Sequence, residues 1–159
     1  MLARPCPDLK TLMRHRPEYH CLDYPRSTSL ELPIMGRIRQ MINVDARECW
    51  TLFDSGARNT YVVPSVAEVL MTSPTPRTIR TALGEDIKET NTEAVLHAEI
   101  EGHPVSTYAL VINDIGNDEN GNPIEVLFDA LATQQWGIRL NVAEEKLDLS
   151  HYPKKFVEF

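Results

Sequence analysis

The stretch "WTLFDSGARNTYVV", residues 50 to 63, constrains the chain more than any other. An apolar run ends in a carboxylate, turns on a small hydroxyl residue and a glycine, and becomes apolar again. An acid at the end of a buried strand is costly, because burial disfavours its charged form, unless it is paired, hydrogen-bonded or put to use. Ser55 brings a hydroxyl that can bond nearby groups, and Gly56 permits a tight turn with close backbone approach. The segment therefore demands a strand, a turn and a second strand, with Asp54 presented at the bend.

The surrounding sequence supplies partners for such strands. In "IMGRIRQMINV", Ile34, Gly36, Ile38, Ile42 and Val44 fall on one face and Arg37, Arg39 and Asn43 on the other, the pattern of a half-buried strand. "DARE" turns and "CWTLF" returns, a hairpin that ends at Asp54. "YVV" is β-rich. In "PSVAEVL", Ser65 stands three residues before Glu68, the spacing of a capping box and a short helix, which "TSPTP" then breaks. "TIRTA", the turn "LGED", "AVLHAEI", the turn "EGHP" and "VSTYALVI" continue as strands. "NDIGNDENGNP" reads as a polar loop and "IEVLF" as a buried strand. "DALATQQWG" has both helix end signals, Asp129 as N-cap and Gly137 as stop, and "IRLNV", "AEEK" and "LDL" complete the sheet. About seven strands and two short helices predict an all-β, mostly antiparallel domain.

The chain of 159 residues, 42% hydrophobic, fits one globular domain with a core. Five of its eleven prolines lie in the first 33 residues, which predicts a Pro-rich extension over 1–32, a domain over 33–150 and a tail over 151–159. No apolar run is long enough to span a bilayer and the start lacks a secretory apolar segment, so a cytoplasmic protein without a membrane partner is expected. Three cysteines, Cys6, Cys21 and Cys49, at unpatterned spacing fit reduced thiols. The net charge of −7 argues against a nucleic-acid partner, although residues 1 to 47 carry eight Lys/Arg against five Asp/Glu. Cys6, His15, His20 and Cys21 match no zinc pattern, "NDENGN" lacks the ligands of a calcium loop, His97 falls on a polar strand face, and Trp50 and Trp136 read as packing residues. No metal or cofactor is expected.

One carboxylate is a poor hydrolase, since amide hydrolysis of this kind needs one group to activate water and another, protonated, to polarise the carbonyl. No second Asp-Ser/Thr-Gly occurs in the chain. A twofold axis beside Asp54 would supply the missing group from a second copy.

With "LFDSGA" at 52 to 57, "TALGEDIKE" at 81 to 89 and "VLFDALATQQWGIRL" at 126 to 140, the stretch from about 33 to 150 resembles a retropepsin, the homodimeric aspartic protease of retroviruses and their cellular relatives. The resemblance implies a small closed, barrel-like β fold with one or two short helices, a homodimer, and peptide-bond hydrolysis by a water held between two Asp54 carboxylates that share a proton. It makes Asp54 the catalytic residue, Ser55, Gly56 and Ala57 the active-site loop, and Arg58, Leu83, Gly84 and Glu85 substrate-binding residues, with Gly84 near the tip of a flap and a protein or peptide as substrate. Two positions depart from the family pattern. Leu127 stands where the family carries glycine, and Arg58 stands where retroviral enzymes often carry an acid, which would favour acidic substrate side chains if Arg58 lines the cleft. The alternative implied by those departures is an inactive dimerisation or peptide-binding module on the same fold. Aromatic-proline bonds at Tyr24-Pro25 and Tyr152-Pro153 are candidate self-cleavage sites by the same resemblance.

Overall fold

A computed structural model describes residues 36–154, which lie within the compact unit Ile34–Phe159. The expected extension over 1–32, with Cys6, His15, His20, Cys21 and the Tyr24-Pro25 bond, lies outside the described residues. Strands β1 (Arg37–Val44) and β2 (Arg47–Asp54) form the first hairpin around Asp45 and Ala46, both at positive φ. Strand β3 (Thr60–Val62) leads to helix α1 (Pro64–Ala67). Strands β4 (Met71–Leu83), β5 (Asp86–Ile100) and β6 (His103–Val111) follow as a meander. Strand β7 (Val126–Phe128), helix α2 (Ala130–Gln135) and the pair β8 (Arg139–Asn141) and β9 (Lys146–Asp148) complete the described residues.

Seven strands form one mixed but mainly antiparallel sheet in the order β1-β2-β7-β3-β6-β5-β4, and a pairing of Asn43 with Glu99 joins β1 to β5, so the sheet curls into a ring. The mostly β architecture with two short helices is the one expected. Strand β7 slots between β2 and β3, parallel to the first and antiparallel to the second. This insertion holds the two halves of the Asp54 bend apart and fixes both.

The inward face of the ring carries Phe53, Phe128, Val126, Leu96 and Ile100, joined by Val66 of α1, all fully buried, with the Phe53 and Phe128 rings 5.3 Å apart. Helix α2 closes this core with Ala132 and Trp136, whose indole N–H donates to the Ser106 carbonyl at 2.8 Å. Leu52, Tyr61, Ile112, Ile124 and Leu127 form a second, smaller cluster.

Several local expectations are corrected. Ser65 does not cap α1; the N-cap is Val63 without a side-chain bond, and Pro64 starts the helix, its fixed φ already suited to the first turn. "TSPTP" does not end in a loop but runs within β4. That strand is at the sheet edge, where proline is tolerated, and its register with β5 shifts between Pro74 and Ile79. The strands β8 and β9 pair only with each other instead of completing the main sheet. Asp129 does cap α2, accepting from Ala132 N–H at 2.6 Å, and Gly137 ends it at φ +62, where an added Cβ would lie 2.1 Å from the His151 carbonyl oxygen.

Candidate active site

Asp54 ends β2 and is 6% exposed. Its Oδ1 accepts from the Gly56 backbone N–H at 2.8 Å, and its backbone oxygen accepts from Ala57 N–H at 3.1 Å, so the carboxylate folds back over its own turn. Its Oδ2 accepts from Arg37 Nε at 3.0 Å. Arg37 is the cross-strand partner of Asp54, a consequence of the two-residue turn at 45 and 46. Ser55 is exposed and bonds to the start of β1: its Oγ accepts from Gly36 N–H at 2.9 Å while its own N–H donates to the Gly36 carbonyl at 3.1 Å. The Ala57 carbonyl accepts from Ala130 N–H at 3.2 Å, tying the turn to the first residue of α2.

Beneath the turn, Leu127 pairs with Leu52 on one side and Tyr61 on the other and is 4% exposed. The side chain that replaces a glycine of the resembled pattern is thus packed into the floor. Above it reaches the tip of the β4–β5 hairpin, where Gly84 takes φ +62 with nothing within 4 Å of an added Cβ. The Tyr61 hydroxyl and Thr81 Oγ1 lie 2.5 Å apart and anchor this hairpin to β3.

Together these elements enclose an open recess of about 380 Å³ in which Asp54, Gly56, Ala57, Leu83 and Gly84 meet. Arg37, Arg39, Leu52, Ile115, Ile124 and Leu127 line it too, and the sequence reading did not assign Arg37, Arg39, Leu52, Ile115 or Ile124 to a site. Ser55 faces β1 and Glu85 is exposed in the hairpin turn; neither lines the recess. Arg58 does not line it either. The chain reverses after Gly56, and Arg58 borders a different hollow with Ile79, Tyr108, Asp129 and Leu131. An acid preference set by Arg58 beside Asp54 has no support in this protomer.

The loop between β6 and β7 forms the remaining wall. Asp118 organises it, accepting from the N–H groups of Asn120 and Asn122, from the Asn122 amide and from the Trp50 indole at 2.8 to 3.0 Å. The Asn122 side-chain bond, then these backbone and indole donors, hold the Asp118 carboxyl below the usual range. Cys49 is buried on the opposite face of β2, and burial, reinforced by Glu125, pushes its thiol up to about 11 against the pull of Arg47. His97 is exposed, and among the described residues no group of three or more His, Cys, Asp or Glu is arranged to hold a metal ion. Tyr152 is docked, its ring stacked on Trp136 at 5.9 Å and its hydroxyl donating to the Pro104 carbonyl at 2.5 Å, so the Tyr152-Pro153 bond starts in a packed residue. Among the described residues no helix is long and apolar enough to cross a membrane.

No family model and no curated protein matches the chain. Solved structures do. The chain is similar to the retroviral protease-like domain of Ddi1 from Leishmania major, at 14% identity and TM-score 0.49 over 75% of this chain and 92% of that one. It is similar to the Simian Foamy Virus (mac) protease at 14% identity and TM-score 0.41, over 60% and 91% of the two chains. The EIAV protease in an inhibitor complex matches at 17% identity and TM-score 0.44, over 72% and 97%. All three are proteases or protease-like domains of the retroviral type, the family that the sequence resembles.

Proposed function

We propose that the chain is an aspartic endopeptidase of the retropepsin type, active as a homodimer in the cytoplasm. The observation that carries this reading is the setting of Asp54: a nearly buried carboxylate at a strand end, one oxygen fixed by Gly56 N–H, facing an open recess under a hairpin tip. Among the described residues, Asp54 is the only acid lining that recess. A second copy, related by a twofold axis beside the turn, supplies the second carboxylate that the chemistry requires.

The pair shares one proton. One Asp54 takes a proton from a water whose oxygen attacks the peptide carbonyl carbon, while the other donates its proton to the carbonyl oxygen; collapse of the tetrahedral species breaks the C–N bond and passes a proton to the leaving amine. Gly56 N–H fixes one oxygen of each carboxylate, and Ser55 fixes the turn to β1. The β4–β5 hairpin, with Leu83, Gly84 and Glu85 near its tip, acts as a flap that excludes water and aligns an extended peptide. No cofactor or metal enters this chemistry.

The test is cleavage of an unfolded protein mixture between pH 4 and 7 by the wild type and by Asp54→Asn. Cleavage by the wild type alone supports the reading. Peptide capture without cleavage by either form replaces it with a binding module on the same fold.

A further inference from the structure

Arg39 stands two residues after Arg37 on the same face of β1 and lines the recess that holds Asp54. One end of its guanidinium is engaged, Nη2 donating to Glu119 Oε1 at 2.6 Å. The other is not. Arg39 Nε is the one buried side-chain nitrogen or oxygen without a hydrogen-bond partner among the described residues. A buried donor left unsatisfied costs about 1–3 kcal/mol, and this atom is sealed from solvent, so the guanidinium gains by turning its Nε toward an acceptor that enters the recess, a turn opposed only by the exposed Glu119 contact.

The electrostatics of the recess select which acceptor. Among the described residues its charged lining consists of Arg37, Arg39 and Asp54, and the rest of its walls are largely apolar, including Leu83, Ile115 and Ile124. Arg37 is already opposed by Asp54, whereas the partner of Arg39, Glu119, is 71% exposed and held on the solvent side by a contact that water screens. A guanidinium beside apolar walls, with its Nε unpaired and its Nη2 held only by an exposed carboxylate, fits a substrate carboxylate that displaces Glu119 and meets it with charge-assisted hydrogen bonds.

Resting on the endopeptidase reading, we propose that Arg39 is a specificity-determining residue: it receives an aspartate or glutamate side chain of the substrate, flanked by aliphatic residues that occupy the apolar walls. This assigns the acid preference to β1 instead of to Arg58. Glu119 competes with the substrate for the same guanidinium and so tempers the preference.

The experiment uses peptide pairs that differ only by Glu against Gln at each position around a cleaved bond. Their kcat/KM ratio is measured with the full-length wild type, and their Kd ratio is measured with the full-length Asp54→Asn chain by fluorescence anisotropy. The expected result is a preference of about tenfold for Glu at one position, the size of one charge-assisted bond. It falls to near one in Arg39→Gln and rises above the wild-type value in Glu119→Gln, a change that a merely structural role for Arg39 would not produce. Equal use of Glu and Gln, or a preference that survives Arg39→Gln in chains with wild-type circular dichroism, overturns the assignment. Absence of cleavage by the wild type fails the endopeptidase reading alone, since the Kd ratio still reads the Arg39 contact.

Discussion

Arg37 and Asp54 face each other across the β1–β2 ladder, Arg37 Nε 3.0 Å from Asp54 Oδ2. The guanidinium thus occupies the oxygen that Gly56 N–H leaves free. In the proposed dimer that oxygen must meet a water and a second carboxylate, so the ion pair and the catalytic arrangement compete. Arg37 is 55% exposed and free to swing into water, but Asp54 is nearly buried, so losing the pair leaves a shielded carboxylate held by the Gly56 N–H. Arg37→Gln is therefore expected to lower stability by about 1–3 kcal/mol and to raise kcat/KM by up to about fivefold. Denaturant melts and steady-state cleavage check both halves; a loss of activity would mean that the guanidinium holds the carboxylate in its working position.

Leu127 is packed between Leu52 and Tyr61 in the floor of the recess. Truncating a buried leucine removes its contacts and leaves a cavity, so Leu127→Ala should cost about 2–5 kcal/mol. The same cavity opens toward the substrate. Larger side chains are expected to be accepted next to the cleaved bond, which sequencing the cut sites would reveal.

Asp118 gives the cleft a sensitivity to acid. Its carboxyl is held below the usual range by Asn122, Asn120 and Trp50, so the folded state prefers the charged form. The stabilisation is present above the unfolded value of about 3.9 and is lost as pH falls through the lower folded value. Below about pH 4 the loop that carries Ile115 and Glu119 should loosen, with a red shift of Trp50 fluorescence. In Asp118→Asn, which has no proton to gain there, that acid-induced shift should be absent.

Cys49 carries the opposite sign. With its thiol raised to about 11, the folded state holds the proton more tightly than the unfolded chain, so stability is undiminished below about pH 9 and declines as pH rises toward the folded value. In a Cys6→Ser, Cys21→Ser background, an aromatic disulfide reagent at pH 8 should modify no thiol until denaturant is added.

The legible parts of this molecule are those set by local chemistry. Alternation in "RIRQMINV" assigned Ile38, Ile42 and Val44 to the core, and the helix signals at Asp129 and Gly137 both hold. Arg37 and Arg39 were legible as a polar face but not as cleft residues. Alternation says which side chains leave the main core and is silent about what the other face meets; here it meets a second cluster and a hairpin tip from residues 82 to 84. The two-residue turn at Asp45 and Ala46 contained the signal that was missed, because its register sets Arg37 opposite Asp54. Arg58, four residues after Asp54 in sequence, lies apart from it in this protomer, since the reversal after Gly56 carries it to another hollow. The prolines of β4 argued against a strand only because its edge position is a property of the whole sheet.

The central claim is that two chains each contribute one Asp54 to a single site, and mixing tests it most directly. A fixed amount of wild-type chain is equilibrated with increasing Asp54→Asn chain, and cleavage per wild-type chain is followed. Random pairing into dimers with one mutant carboxylate predicts a fall to about one half at equal amounts and to about one tenth at ninefold excess. Activity per wild-type chain that stays constant as the mutant is added would contradict the account, because one Asp54 would then suffice.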